Sequence, residues 1–531
     1  MRGINDLKPT SNPIKRAYLY LEEWFNLSFG EKWNPLYHLG PLTFFFFWIA
    51  LVTGLYLFIF FDTTVSGAHA SLEVIINEQF YIGRIMRGLH RYASDAAVAT
   101  IFLHIFREFS QDRYRGIRWY SWFTGIPNLW LVGLLGITGY WMVWDELALF
   151  IAIGSSKLMD ALPIFSDSMA RNFMPGNLGG RFSTLLAFLH LLGLPMFLIF
   201  MLWFHVRRLS KVEISAPKGL AIGALLALTV LSLVVPALSH APANLSKVPT
   251  VLHPDWFYLN IYPLAKDWPA GQVWLLVGGI TVLMMFMPWL PKKKTGAVAV
   301  VDLNHCNGCG QCADDCPFDA ITVQARTDGA KWKNEVVVAP QLCAACGICT
   351  GSCPSSNPFR KTSDDGLLKT GIDMPGLPLD QFKRQTDEAL AKLEGDIKIM
   401  AFGCDNSYDV ETLSAPNVAA IRFFCIGMMP ASLVEYALKN GADGVFISGC
   451  RHGDCYYRFG NHWMDMRIHG ERKPALRARV DRSRIRIFGA ADTDGKKLKK
   501  EFQAFCDSLA SQPPPTGAPH TTAQAEEARH D

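Results

Sequence analysis

Cys306-Asn307-Gly308-Cys309-Gly310-Gln311-Cys312-Ala313-Asp314-Asp315-Cys316-Pro317 and Cys343-Ala344-Ala345-Cys346-Gly347-Ile348-Cys349-Thr350-Gly351-Ser352-Cys353-Pro354 are two copies of one pattern, Cys-x2-Cys-x2-Cys-x3-Cys-Pro. Three cysteines at i, i+3 and i+6 can wrap thiolates around three corners of one iron–sulfur cubane, while the cysteine before proline reaches across to the other. The spacing predicts two four-iron clusters with exchanged ligands. Cys306, Cys309, Cys312 and Cys353 are expected to hold one, and Cys343, Cys346, Cys349 and Cys316 the second. Cys-x2-Cys zinc knots come without the third equally spaced thiol, and disulfide frameworks belong to small secreted chains.

Residues 298–358 on these motifs resemble a bacterial-type ferredoxin with two 4Fe-4S clusters. The whole chain is 531 residues and 50% hydrophobic, with a positive mean hydropathy, too large for one domain and too apolar to be wholly water-soluble. A membrane part and a water-soluble part are expected. All thirteen cysteines lie at or beyond position 306, which puts thiol chemistry in the soluble part and implies a reducing compartment. A net charge of +4 is too small to argue for nucleic acid. No cleavable signal peptide is read, since Met1–Gly40 is mixed and polar with only an amphipathic stretch around Ile14–Phe29.

Apolar spans occur near 41–61, 128–148, 184–206, 219–237 and 271–290, each about the 20 residues a helix needs to cross a bilayer. A sixth, near 85–107, contains Arg87, His90, Arg91, Asp95 and His104, and ionisable groups at such depth flag function. Six spans put both termini on one side. Arg2, Lys8, Lys15, Arg16, Lys32, Arg107, Arg113, Arg115, Arg118, Arg207, Arg208, Lys211, Lys218 and Lys292–Lys294 fall on that side. The opposite loops hold mainly Lys157, Arg171, Arg181, Lys247 and Lys266. The positive-inside rule then makes the termini and clusters cytoplasmic, in a multi-pass protein of a prokaryotic cytoplasmic membrane.

Two spans carry histidine pairs, His90 with His104 and His190 with His205. Roughly four turns separate the members of each pair, so each lies near one helix face with its members about 21–22 Å apart. Two such helices side by side offer two bis-histidine cages, one toward each surface. Imidazole pairs leave haem iron no open position, which suits electron transfer. A single histidine in an apolar helix is usually a hydrogen-bonded core residue, but four at matched spacing are not.

Over residues 13–290 the chain resembles the cytochrome b family of respiratory and photosynthetic bc-type complexes. The likeness rests on Gly40, Thr53-Gly54, Arg87-Gly88-Leu89-His90, Leu103-His104, Gly139-Tyr140 through Trp144-Asp145, and His190 followed by Pro195. The His190–His205 spacing is like that of the chloroplast-type form. The resemblance implies two b haems, an outer one on His90 and His190 and a cytoplasmic one on His104 and His205, with Arg87 near a propionate. It also implies an outer quinone site. The family's Pro-Glu-Trp-Tyr motif is matched by Pro254-Asp255-Trp256-Phe257-Tyr258, so Asp255 is the expected proton-exchanging carboxylate, with Pro254, Trp256 and Phe257 around the quinone. Phe257 stands where the family has tyrosine, and Val143 where it has proline, which points to an altered pocket. The plain alternative for Pro254–Trp256 is a turn with an interfacial aromatic anchor.

From about 396 the pattern becomes a small α/β layer, with strands expected over Asp396–Phe402, Ala419–Phe424, Gly444–Ile447 and Arg484–Phe488. Helices are expected over Ala431–Asn440, Arg458–His469 and Lys496–Leu509. Cys404, Cys425, Cys450 and Cys455 fall at strand ends, where four thiolates could hold a 2Fe-2S cluster; zinc or buried structural cysteines would look similar. Gly441 through Tyr457, followed by Gly460-Asn461, resembles the delta subunit of methyl-viologen-reducing hydrogenase, over about 396–510. That small iron–sulfur protein passes electrons to the flavoprotein subunit of heterodisulfide reductase. The family's extra cysteines near its first strand are missing here, where Cys404-Asp405-Asn406 stands, and Cys506 reads as a bystander.

The expected fold is an all-α transmembrane bundle of six spans (1–295), a small α+β dicluster ferredoxin domain (296–360), a linker (361–395), an α/β iron–sulfur domain (396–510) and a disordered tail (511–531) with Pro513–Pro515. Laid end to end the cofactors make a conductor from 2Fe-2S through two 4Fe-4S clusters and two haems to quinone. The expected function is electron transfer from a cytoplasmic flavoprotein dehydrogenase, heterodisulfide-reductase-like by resemblance, to the quinone pool. Reverse flow from quinol to a soluble low-potential acceptor, and a redox sensor or assembly subunit without turnover, are the alternatives. No Gly-x-Gly-x-x-Gly opens a βαβ unit, so flavin or nicotinamide must come from a partner. A homodimer through the cytochrome is expected by resemblance alone.

Overall fold

The computed structural model describes residues 12–164, 180–244, 246, 252–290 and 296–513. Lys292–Lys294, the loop residues Arg171 and Lys247, and the tail beyond Pro513 lie outside the described residues. The chain forms two compact units. One holds Trp33–Arg208 and Val212–Lys293, the other Met1–Lys32, Leu209–Lys211 and Lys294–Asp531.

Residues 12–32, expected in the membrane domain, fall with the iron–sulfur unit. The amphipathic stretch forms α1 (Pro13–Phe29), begun by Asn12, whose side chain accepts from the Ile14 N–H, and by Pro13 in the first turn. Tyr18, Leu19 and Glu22 make its buried face. The Arg451 guanidinium donates to the Leu19 carbonyl and pairs with Glu23 at 3.1 Å, and Lys15 pairs with Asp492 at 2.5 Å. A helix with those partners is part of the soluble unit, whatever its place in the sequence.

The membrane unit is all helical: α2 (Leu39–Phe60), α3 (Ala68–Asn77), α4 (Phe80–Ser110), α5 (Trp119–Met142), α6 (Glu146–Asp160), α7 (Gly180–Phe188), α8 (Leu194–Val206), α9 (Lys218–Val234), α10 (Ile261–Asp267) and α11 (Ala270–Phe286). A π-helical turn, Leu189–Gly193, joins α7 to α8 and carries His190. By length and composition three helices are apolar enough to cross a membrane, Leu39–Phe60, Phe182–Val206 and Ala270–Trp289; Lys218–Val234 is apolar but shorter. Helix α4 is 31 residues long and misses that test because of its charged residues.

The span expected at 128–148 is displaced: its helix starts at Trp119 and stops at Met142. Trp144 turns into the left-handed region at φ 53°, and Asp145 then caps α6 by accepting from the Ala148 N–H at 2.8 Å. A continuous apolar run thus hides a helix break. Small residues allow close helix approach: a Cβ at Gly88 would meet Ser232 of α9 at 2.5 Å, and one at Gly136 would overlap the Tyr258 ring.

In the iron–sulfur unit, β1 (Val300–Val301) is followed by α12 (Gln311–Asp314), β2 (Ile321–Ala325), β3 (Asn334–Val338), α13 (Ile348–Ser352) and β4 (Ile372–Asp373). Strands β2 and β3 pair antiparallel, as do β1 and β4. Pairing of β4 with β1 draws part of the expected linker back into the ferredoxin part. The rest of 361–395 holds α14 (Leu379–Lys392), whose Phe382 stacks on Phe423 at 4.1 Å. Apolar Leu379 and Phe382, three apart, had marked one helix face in a stretch that is otherwise polar.

Beyond it come β5 (Ile399–Cys404), β6 (Val418–Phe423), α15 (Ala431–Lys439), β7 (Gly444–Gly449), α16 (Gly460–His469), β8 (Ile485–Gly489) and α17 (Gly495–Ala510). The four strands form one parallel sheet in the order β6-β5-β7-β8. Its core gathers Ile399, Ala401, Phe446, Leu498 and Phe505.

Arg467, fully buried, joins the α/β layer to the ferredoxin part. It donates to Asp315 and Ser352 and, at 3.1 Å, to the Gly427 carbonyl; Arg472 donates to the same Asp315. Removing one member of a buried pair strands the other charge, at a cost of about 3–5 kcal/mol. Arg467→Ala is therefore expected to loosen α13 and α16 together, read as accelerated amide hydrogen exchange in both helices, with the helices of the membrane unit unaffected.

Candidate functional site

The histidines of the membrane unit meet in the pairs the sequence suggested. His90 and His190 present rings 6.4 Å apart between centroids, and His205 faces His104. A ring pair at that separation leaves room for a metal between imidazoles, at about 2 Å from each nitrogen. The Nδ1 of His90 bonds the Ala50 carbonyl at 2.8 Å, and those of His190 and His205 lie 3.1 and 3.4 Å from Thr138 and Thr124. Backbone groups at Leu135 and Ser121 also bond His190 and His205. Anchoring Nδ1 fixes the ring and leaves Nε2 free to ligate.

One arrangement recurs at three of the four histidines: a backbone partner at i, threonine at i+3, glycine at i+4. It reads Ala50-Thr53-Gly54 at His90, Leu135-Thr138-Gly139 at His190 and Ser121-Thr124-Gly125 at His205. A Cβ on Gly54, Gly125 or Gly139 would come within 3.0, 3.2 or 2.9 Å of its imidazole. Thr124, Gly125 and Thr138 were not singled out from sequence, although the repeated Thr-Gly dipeptide was there to read. Gly40 has nothing within 4 Å of its would-be Cβ. Arg87 keeps a buried Nη1 without a hydrogen-bond partner among the described residues, as an anion-binding guanidinium would. The pairs and this orphaned donor fit a propionate-bearing haem.

Asp255 sits at the start of the turn that leads into α10. Its Oδ1 accepts the N–H groups of Phe257 and Tyr258 at 2.7 and 3.1 Å, and its Oδ2 accepts the Tyr140 hydroxyl at 2.7 Å. Trp256 is 75% exposed and Phe257 half-buried, which agrees with an interfacial anchor as well as with a ligand wall.

The ferredoxin cysteines separate into two groups. Cys306, Cys309, Cys312 and Cys353 line one cavity with Pro354, Gly371 and Ile372. Cys316 stands with Cys343, Cys346 and Cys349. Burial beside other sulfurs pushes the Cys312 thiol up to about 12 and those of Cys346 and Cys349 upward, so bare thiolates there would need a cationic centre to neutralise them. Among the described residues no three or more His, Cys, Asp or Glu side chains form a ready single-ion site.

Cys404 closes β5, while Cys425 and Cys450 follow β6 and β7, so these thiols gather at the carboxyl edge of the sheet with Cys455. Cys404 and Cys455 each lie within hydrogen-bonding reach of both Cys425 and Cys450, which places the four sulfurs in a ring and draws the Cys404 and Cys455 thiols down. All four are buried. A Cβ at Gly460 would overlap the Cys425 sulfur, so the glycine at this position makes the space. Cys425 and Cys346 belong to one apolar cluster with Ile348 and Trp463, against which Tyr457 packs.

Three family models match the chain in series. Cytochrome b/b6/petB covers residues 26–213, a 4Fe-4S dicluster domain 305–357, and the methyl-viologen-reducing hydrogenase delta subunit 399–511. The three matches follow one another along the chain without overlap, as in a fusion of these domains. Cytochrome b6 of Synechococcus elongatus is 28% identical over 186 residues, 35% of this chain and 86% of that protein. The menaquinol:cytochrome c reductase cytochrome b subunit of Bacillus subtilis is 28% identical over 197 residues, 35% of this chain and 87% of that one. A chain of a hyperthermophilic respiratory complex III aligns at TM-score 0.39 and 16% identity, over 52% of this chain and 81% of that one. The sequence matches identify the first module as a membrane cytochrome b-like part, which implies haem b, and the second as one that implies 4Fe-4S clusters.

Gly139→Val is expected to push His190 off its partner, read as a partial loss of haem b absorbance in the purified chain. Gly460→Ala is expected to displace Cys425, lowering iron and acid-labile sulfide in the purified chain while the haem spectrum stays.

Proposed function

We propose that this chain is a membrane subunit that carries electrons from a cytoplasmic flavoprotein dehydrogenase to quinone. The observation that carries the reading is the apolar cluster shared by Cys346 and Cys425: two groups of four cysteines adjacent inside one compact unit, on the chain that also holds two histidine pairs. Cys404, Cys425, Cys450 and Cys455 would hold a 2Fe-2S cluster; Cys343, Cys346, Cys349 and Cys316 a 4Fe-4S cluster; Cys306, Cys309, Cys312 and Cys353 a second. His90 with His190, and His104 with His205, would hold two b haems. These groups supply one-electron transfer.

In this reading α2, α4, α5, the α7–α8 pair, α9 and α11 make six crossings, and the lysines and arginines put the iron–sulfur unit in the cytoplasm. The donor is a heterodisulfide-reductase-like flavoprotein, since the delta-subunit module is of the kind that docks on one. Tyr457, packed on Cys346 and Cys425, belongs to the contact through which the 2Fe-2S site meets the cluster of Cys316, Cys343, Cys346 and Cys349. Quinone sits at the outer face by Pro254, Asp255, Trp256 and Phe257.

The test is to reduce the purified complex with its co-purifying flavoprotein and its donor, then add a quinone analogue. Both haems are expected to be reduced and then re-oxidised on quinone addition. Cys425→Ser is expected to slow haem reduction at least tenfold while leaving quinone-driven re-oxidation unchanged. Haem reduction at the wild-type rate in that variant would remove the delta-subunit module from the path.

A further inference from the structure

Two carboxylates near the His90–His190 end of the membrane unit, Asp255 and Asp95, are in opposite situations. An ionised carboxylate offers about four lone-pair sites. Asp255 uses three of them, two for backbone N–H groups on Oδ1 and one for the Tyr140 hydroxyl on Oδ2, which also forms an ion pair with the Arg91 guanidinium at 3.7 Å. Protonating Asp255 would break a bond that holds its turn. Its side chain is only 5% exposed.

Asp95 lies one helical turn beyond Arg91 on α4, facing both Arg91 and Asp255. Its Oδ1 is buried and has no hydrogen-bond partner among the described residues. An unpaired buried acceptor costs about 1–3 kcal/mol, so an acid there gains from a partner arriving. Tyr258, two residues past Trp256, donates to the carbonyl of Ser94 at 2.8 Å, tying the turn of the quinone motif to the same point of α4. Asp95 belongs to neither of the motifs that mark the haem ligands and the quinone loop.

We infer that Asp95, rather than Asp255, is the acid that exchanges protons with the quinone, and that Asp255 with Arg91 and Tyr140 is the frame that positions it. The inference rests on the quinone-reducing reading above. Reduction of a quinone to a quinol takes two electrons and two protons and forms one O–H bond at each oxygen. Asp95 gives up its O–H proton to the oxygen nearest it, is left as a carboxylate beside Arg91 and takes a proton back from the aqueous phase, while the far oxygen takes its proton from the aqueous phase. A haem held by His90 and His190 would supply the two electrons one at a time, being re-reduced from the donor side of the chain between them. The titratable and charged groups that face Asp95 are Arg91 and Tyr92 on its own helix, Tyr140 from α5, and Asp255 and Tyr258 from the turn before α10.

The experiment uses the full chain in membranes, loaded with its cofactors. Positioned acids contribute about 10²–10⁴-fold to proton transfers, so Asp95→Asn is expected to slow haem re-oxidation by a water-soluble quinone analogue at least a hundredfold. Haem spectrum and midpoint potential should stay as in wild type, and Asp95→Glu should recover most of the rate. Redox-difference infrared spectra give a second readout: a protonated-carboxyl carbonyl band that vanishes in Asp95→Asn and persists in Asp255→Asn. Re-oxidation of Asp95→Asn at the wild-type rate, or a band lost in Asp255→Asn instead, overturns the assignment. If Asp95→Asn loses its haem, Asp95→Glu and the wild-type band decide: an unshifted band in the glutamate variant overturns it. Failure of the wild-type haem to be re-oxidised by any quinone defeats the underlying reading, which none of the other outcomes does.

Discussion

A carboxylate one residue before a cysteine, met by a guanidinium without solvent exposure, holds the iron–sulfur unit together. Asp315 precedes Cys316, and Arg467 reaches it from α16 while also bonding Ser352 and Gly427, which flank Cys349 and Cys425 in sequence. Taking two charges out of water is expensive, and such a pair is weak evidence for stability in itself. Its service here is register. The same two side chains that neutralise each other fix α13 against the segment after Cys425, so that Cys346 and Cys425 end in one cluster. A bond network anchored beside three cysteine-bearing segments ties them to one another directly.

The membrane unit solves a related problem with the opposite chemistry. A histidine ring between apolar helices has few polar neighbours to orient it, so its orientation is supplied by backbone carbonyls and threonine hydroxyls of the next helix. The glycine one residue beyond each threonine removes the side chain that would press on the ring. Three independent copies of this device, on α2 and twice on α5, make position and orientation of the rings a property of helix packing. They also explain why α5, with a polar residue every few positions, reads as a weaker apolar span than its 24 residues would suggest.

What was legible in the sequence divides along physical lines. The cysteine groups could be read because ligand spacing is a local property, and the crossing of Cys316 and Cys353 follows from the same geometry that fixes the other six. The α/β layer was legible from short β-branched runs, and its thiols from their place after the first three of them. Three things were not. The helix break at Val143–Asp145 is set by a left-handed Trp144 inside an apolar run, which hydropathy does not register. The helix α14 was masked by charged neighbours that make its composition linker-like. Arg91 and Asp95 were noted only as costly charges, because which carboxylate is bonded at both oxygens and which keeps a buried oxygen without a partner depends on what the Asp255 turn brings to them in space.

The docking of α1 on Arg451 has a consequence for how such a chain is made. Helix α1 is synthesised ahead of the membrane helices that follow it, and its partners Arg451, Asp492 and Lys497 come only after more than four hundred further residues. The iron–sulfur unit therefore cannot be completed until the whole of the membrane unit has been synthesised. A fragment cut at the end of the membrane helices would carry all thirteen cysteines and still lack one wall of its own fold.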